Sequence, residues 1–268
     1  MIATTYLFVP GDRPDRFAKA AASGADVVVL DLEDAVAPDS KSAARASLAD
    51  ALSRSGLSVC VRVNAADTPW FKEDCRLLSL PGVAAVMLPK AETVDELRAT
   101  AMVLGAGVPL IPIIETARGL AEVTVLAGAP SVQRLAFGSV DFQRDLGIEG
   151  DDLELLFARS QLVLASRLAG VAAPVDGVTL AVNDPELTRA DARRSRRLGF
   201  GAKLCIHPAQ IDPVREAFRP DATEMEWAKG VLEAASSTSA GALKYEGQMI
   251  DKPVIERARS VLRRAGVS

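Results

Sequence analysis

Eight short apolar runs, each followed by a segment with helical spacing, set the tightest limit on how this chain can fold. The runs cover residues 5–9, 26–30, 58–63, 84–88, 110–114, 134–137, 175–178 and 202–206. After them, apolar residues three and four apart predict helices over 14–22, 40–53, 69–79, 94–104, 117–127, 153–168 and 186–198, with a short helix after Pro208. The runs are continuously apolar rather than alternating, which is the pattern of strands covered on both faces. Eight β-then-α units within 268 residues favour closure into a barrel over an open doubly wound sheet. The expected fold is α/β, a TIM (β/α)8 barrel over residues 1–220.

From 221 to 268 the pattern changes to a helical stretch at 223–236, a loose Ser/Gly/Ala segment at 236–242, a short segment at 245–249 and a helix at 253–264. This tail lies outside the eight units. It is expected to serve as a helical lid, an arm onto a neighbouring subunit, or a cap on the barrel.

Composition narrows the function. With 49% hydrophobic residues but only two Tyr, two Trp and eight Phe, the core must be aliphatic. A net charge of −4 gives no bulk attraction for nucleic acid or a membrane surface, and Arg193, Arg194, Arg196 and Arg197 read as one solvated helix face. The three cysteines, Cys60, Cys75 and Cys205, stand far apart and suit a reducing cytoplasm. No apolar run approaches the roughly 20 residues that span a bilayer.

In a barrel of this kind, catalytic groups sit where the strands end. The runs end in Asp12-Arg13, Asp31-Leu32-Glu33-Asp34, Arg62-Val63-Asn64, Pro89-Lys90, Glu115-Thr116, Gly138-Ser139-Val140-Asp141 and His207-Pro208. Acids and cations would therefore converge on one mouth. Carboxylates are hard ligands, and with one His in the chain and no CxxC pair the metal expected is Mg²⁺ or, by similarity of ligands, Mn²⁺ rather than Zn²⁺. Glu115 and Asp141 are the expected ligand pair, with Asp31, Glu33 and Asp34 orienting waters and nearby cations around them. Arg62 offers a planar fork to a substrate carboxylate, and Gly138, Ser139 and Val140 offer backbone N–H donors. Taken singly, strand-end acids such as Asp31 and Asp141, like Asp39 and Asp184, equally suit helix caps, and His207 equally suits a structural role.

Taken together, several stretches resemble the citrate lyase β-subunit-like branch of the HpcH/HpaI aldolase family. They are Leu7-Phe8-Val9-Pro10-Gly11, Leu30-Asp31-Leu32-Glu33-Asp34-Ala35-Val36, Val61-Arg62-Val63-Asn64, Met87-Leu88-Pro89-Lys90-Ala91, Ile114-Glu115-Thr116-Ala117, Gly138-Ser139-Val140-Asp141, Lys203-Leu204-Cys205-Ile206-His207-Pro208 and Gly247-Gln248-Met249-Ile250-Asp251-Lys252-Pro253. The resemblance implies a barrel with a C-terminal lid in a homotrimer or hexamer. It implies Mg²⁺ on Glu115 and Asp141, a substrate carboxylate on Arg62, and coenzyme A contacts at Arg13 and Ile206-His207-Pro208. It also implies that Asp251, which spacing alone marks only as a helix cap, acts in proton transfer from a neighbouring subunit.

The reaction implied is a reversible Claisen-type cleavage of a 3-hydroxyacyl-CoA, such as citramalyl-CoA or malyl-CoA, into an acyl-CoA and a 2-oxo acid. The alternatives are the β subunit of a citrate lyase complex working on an acyl carrier protein, an aldolase without a thioester, and a dicarboxylate-binding barrel without activity.

Overall fold

In the computed structural model, eight parallel strands close into a barrel in sequence order. The structure describes residues 3–54, 56–236, 243–245 and 247–266. The strands are β1 (Thr5–Pro10), β2 (Val27–Asp31), β3 (Val59–Arg62), β4 (Val83–Leu88), β5 (Leu110–Ile114), β6 (Arg134–Phe137), β7 (Ala172–Asp176) and β8 (Ala202–Cys205). Pairing of β8 with β1, Leu204 opposite Tyr6, closes the ring. Between the strands run the helices α1 (Phe17–Ala21), α2 (Lys41–Arg54), α3 (Phe71–Cys75), α4 (Val94–Ala101), α5 (Ala117–Ala121), α6 (Val123–Ala127), α7 (Ser139–Leu146), α8 (Leu156–Ala169) and α9 (Pro185–Leu198), followed by α10 (Ile211–Phe218).

The barrel interior is filled by Tyr6, Val29, Cys60, Met87, Ile111, Ile113, Ala136, Val175, Ala202 and Leu204. Side chains alternate along a strand, so residues two apart share a face. Counting two onward from these positions reaches Asp31, Arg62, Glu115, Gly138 and Gly177, which places them in one inward layer at the C-terminal ends. At the opposite end, Arg134 is buried, with Nε 2.9 Å from Ala173 O and Nη1 3.1 Å from both Ala3 O and the Tyr6 hydroxyl. It fastens the starts of β1, β6 and β7.

Several elements depart from the sequence pattern. The seventh strand runs from Ala172 to Asp176 rather than over 175–178. Its first two residues are exposed alanines that carry little apolar signal, and the Val178 side of the run is loop. The helix expected over 117–127 is two helices meeting at Glu122, whose backbone is not helical (φ −96°, ψ 3°). The helix expected over 69–79 shortens to Phe71–Cys75, and α7 forms where only backbone donors were expected. Arg194 is not part of a solvated face. Its side chain is 18% exposed and lies within ion-pair distance of Asp151, Asp152 and Asp191.

The chain forms two compact units, Met1–Arg215 and Glu216–Ser268. In the second, α11 (Ala222–Ser236) and α12 (Lys252–Arg264) pack through Ala228, Val231, Ala258 and Val261, with Ile250 of a two-stranded hairpin, β9 (Leu243–Tyr245) and β10 (Gln248–Ile250). Arg257 lies over the Trp227 ring at 4.9 Å. Of the loose segment expected at 236–242, residues 237–242 lie outside the described residues, as does Glu246 within 245–249. Among the described residues, no helix is long and apolar enough to cross a membrane.

Candidate active site at the C-terminal ends of the strands

Arg62 ends β3 opposite Asp31, which ends β2. The two form a bidentate pair, Nε to Oδ1 and Nη2 to Oδ2, both at 2.7 Å. Asp31 is fully buried and also accepts the Glu33 and Ala35 N–H groups. Burial pushes its carboxyl upward, but the Arg62 charge and these hydrogen bonds outweigh burial and hold it below the ordinary carboxylate range. Arg62 Nη1 lies 2.9 Å from Glu33 Oε2. Two of the five guanidinium N–H groups donate to Asp31, and Nη1 makes a charge contact with Glu33 rather than a hydrogen bond. Phe8 stacks on the guanidinium at 4.7 Å.

Glu33 is buried, and burial holds its carboxyl above its ordinary value. Its Oε2 makes no hydrogen bond, because the approach of Arg62 is close but out of line. Its Oε1 bonds the Lys90 ammonium. Lys41, at the start of α2, donates to the Leu32 and Glu33 carbonyls at 2.7 and 2.8 Å and so pins this turn from behind. Asp34 is more exposed, 4.0 Å from Lys90 Nζ.

Glu115 follows β5 and is 2% exposed. Burial is the main force on it, with Glu33 and Asp141 adding negative potential against the opposing pull of Lys90 and Arg62. The result raises its carboxyl to about 8. Its Oε1 accepts the Lys90 backbone N–H at 2.7 Å, and its Oε2 accepts no hydrogen bond from the described residues. That oxygen abuts Gly138, where a Cβ would lie 2.1 Å from it. Position 138 therefore tolerates only glycine while Glu115 keeps this pose.

Gly138 also begins α7. The N–H groups of Ser139, Val140 and Asp141 have no acceptor within their own helix and face the positive end of its dipole. Ser139 is buried against Gly177, where a Cβ would lie 2.1 Å from its Oγ. Gly177 is in turn held by a buried network. Asp176 accepts Arg159 Nε at 3.1 Å and the Gly177 N–H at 2.9 Å, while Lys203 donates to the Gly177 carbonyl at 2.7 Å.

Asp141 lies in the first turn of α7 and accepts no hydrogen bond from the described residues. Glu115 and Asp141 thus each keep an unengaged oxygen, as does Glu33, whose free oxygen lies against Arg62. Among the described residues, no group of three His, Cys, Asp or Glu side chains forms a ready metal cage. Two carboxylates, with the remaining positions left to water or substrate oxygens, are the donor set that suits Mg²⁺.

The remaining expected contacts are more peripheral. Arg13, after β1, is exposed and paired with Asp15 at 2.9 Å. Ile206, His207 and Pro208 follow β8, the neighbour of β1 in the ring. His207 Nδ1 caps the next turn by accepting the Ala209 N–H at 3.2 Å, and Ile206 is 39% exposed. Asp251 caps α12 through the Val254 N–H at 3.1 Å, as its place before Lys252-Pro253 suggests. Asp184 caps α9 in the same way.

The residue that reading the strand ends passed over is Lys90. The strand-end pattern gives it no role, yet its backbone holds Glu115 and its ammonium bonds Glu33, 3.8 Å from Glu115. A lysine after Pro89 carries no sequence mark of the left-handed backbone (φ 48°) that brings it there.

Comparisons with known proteins show the family. A family model described as HpcH/HpaI aldolase/citrate lyase matches residues 4–208. The citrate lyase subunit beta-like protein of Deinococcus radiodurans is 41% identical, over 96% of this chain and 95% of that one. The L-malyl-CoA/beta-methylmalyl-CoA lyase of Cereibacter sphaeroides is 35% identical, over 97% and 93%. Among solved structures, the protein CitE from Mycobacterium tuberculosis, in complex with magnesium, acetoacetate and coenzyme A, superposes with a TM-score of 0.87 at 38% identity, over 98% of each chain. With a closed eight-stranded barrel, a family match across it and relatives aligned end to end, this chain belongs to the HpcH/HpaI aldolase/citrate lyase family.

Proposed function

We propose that this protein is a Mg²⁺-dependent carbon–carbon lyase that cleaves a 3-hydroxyacyl-CoA, such as citramalyl-CoA or malyl-CoA, into an acyl-CoA and a 2-oxo acid. The observation that carries this reading is two acids with unengaged oxygens, the buried Glu115 and the half-buried Asp141, close enough to act on one another, with an Arg62 guanidinium in the same inward layer as Glu115. The acidic pair would hold the metal, which when bound supplies Lewis-acid polarisation of the oxygen at the reacting carbon.

The protein's own groups do the rest. Arg62, locked by Asp31 and Glu33, orients the substrate carboxylate. The first-turn N–H groups of α7, set by the close contacts of Gly138 and Ser139, meet developing negative charge without having to move. Asp251, supplied by a neighbouring copy of the chain in a trimer or hexamer, protonates the departing thioester enolate. Arg13 and the Ile206–His207–Pro208 turn flank the coenzyme A moiety. The protein acts in the cytoplasm, in keeping with its three unpaired cysteines.

The direct test is cleavage of citramalyl-CoA and malyl-CoA by the purified protein alone, with Mg²⁺ and with excess EDTA. Activity on a free CoA thioester that EDTA abolishes supports the proposal. Activity only with an acyl carrier protein and partner subunits would make the chain a citrate lyase β subunit, and full rates in EDTA reject the metal role.

Asp251→Asn is expected to leave oxo-acid binding intact and to remove most turnover. Co-assembly with Glu115→Gln should then restore activity that neither variant has alone. If the mixed oligomer stays as inactive as its components, the shared site is refuted.

The pH dependence follows from Glu115. Its carboxyl is raised in the folded protein, so the folded state holds this proton more tightly than the unfolded chain does. Its contribution to stability is therefore present below the ordinary value of 4.5 and lost as pH rises toward about 8. A divalent cation must displace that proton, so Mg²⁺ affinity should strengthen by roughly tenfold per pH unit up to about 8 and then level off. Calorimetric titration with Mg²⁺ across this range checks it, and an affinity independent of pH would contradict it.

A further inference from the structure

We infer that Lys90 is a positioning residue that lets this acid-rich mouth hold a divalent cation and still admit an anionic substrate. The inference rests on the proposed metal and oxo-acid reading and adds to it a residue with a separable role.

The first observation is backbone geometry. Along β4 the inward position is Met87, and Lys90 falls three residues later, on the parity that faces the helices. Its φ of 48° is in the left-handed region, which a long side chain enters only when its surroundings demand it. The kink breaks the alternation. It turns the Lys90 N–H onto Glu115 Oε1 at 2.7 Å and carries the ammonium back over the mouth, onto Glu33 and within 4.0 Å of Asp34.

The second observation is the charge balance. Asp31, Glu33, Asp34, Glu115 and Asp141 bring five carboxylates to this end, and Arg62 answers two of them. Lys90 faces Glu33, Asp34 and Glu115 together, which no other cation among the described residues does. Without its charge, the same acids would still attract a divalent cation but would repel a 2-oxo acid.

The two parts of the residue therefore do different work. The N–H fixes which Glu115 oxygen stays unengaged, and the ammonium sets the potential that the substrate meets. A merely structural lysine predicts that both ligands weaken together when it is changed. The present inference predicts effects of opposite sense.

Lys90→Gly keeps the N–H, accepts the backbone angle without strain and deletes the charge, and Lys90→Gln keeps most of the stem without charge. Calorimetry with Mg²⁺ alone, then with glyoxylate or pyruvate at saturating Mg²⁺, provides the readout without turnover. Both variants are expected to bind Mg²⁺ as tightly as the wild type or more tightly, and to bind the oxo acid at least tenfold more weakly. Lys90→Arg should recover most of that loss. Parallel weakening of both ligands, or oxo-acid affinity within twofold of wild type in both uncharged variants, overturns the inference. Failure of the wild type itself to bind Mg²⁺ or either oxo acid would instead overturn the reading on which it rests.

Discussion

Glu115→Gln is expected to weaken Mg²⁺ binding and to lower turnover by about a hundredfold or more, while the metal-free protein becomes more stable. The substitution keeps the shape of the side chain, and the amide oxygen can still accept the Lys90 N–H. It removes a carboxyl that burial and the neighbouring Glu33 force the metal-free protein to hold protonated up to about 8, a cost at neutral pH that an amide does not carry. A divalent cation is the partner that makes the ionised form of Glu115 favourable. Stability gained and function lost in a single change is the signature of a site whose charges are arranged for a ligand rather than for the fold. Asp141→Asn should share the loss of metal but not the gain in stability, because Asp141 is only half-buried in the first turn of α7. Metal titration together with thermal unfolding in EDTA separates these outcomes. A Glu115→Gln protein that binds Mg²⁺ within threefold of wild type would remove Glu115 from the site.

Arg62→Ala should do the reverse to stability. The guanidinium is 13% exposed and anchors a fully buried Asp31 and a nearly buried Glu33. Taking it away leaves two acids in a poorly solvating pocket, and breaking a buried pair from one side costs about 3–5 kcal/mol. For a chain of this size, that is a fall in melting temperature of roughly 10 °C. Turnover should fall by about a thousandfold, because the group that orients the substrate carboxylate is lost along with the surroundings that hold it. Arg62→Lys should recover part of the stability and little of the activity, since an ammonium cannot fill the two-point contact with Asp31 and keep donors for a second anion. Mg²⁺ binding should persist in both variants, as Glu115 and Asp141 are untouched. Unchanged melting temperatures would show that the acids find other partners. Loss of metal together with substrate would show that Arg62 supports the cation as well.

The sequence and the structure divide the problem unevenly. The eight units, their order and the strand-end acids could be read from the chain because both signals are local. A strand covered on both faces needs an unbroken apolar run, and a group at the mouth must directly follow that run. The seventh strand lies earlier than the apolar run because its exposed alanines give no such run, and spacing does not mark the break at Glu122 because apolar residues continue through it. Gly138 reads in the sequence as a backbone donor, but nothing there marks that positions 138 and 177 must be glycine. What forbids a side chain there is Glu115 in one case and Ser139 in the other, each remote along the chain.

By itself the chain determined that eight strands would be buried beneath helices and that Asp31, Arg62, Glu115 and Asp141 would fall at or just past the ends of their strands, because apolar periodicity and the order of residues are properties of a line. Only the tertiary structure decided that Arg62 gives one edge of its fork to Asp31 beside Glu33, that Glu115 keeps one oxygen unengaged, and that Lys90 turns back over the mouth through a left-handed residue. Those outcomes depend on which groups meet across the barrel and on how far water is excluded where they meet, and both are set by closure of the ring.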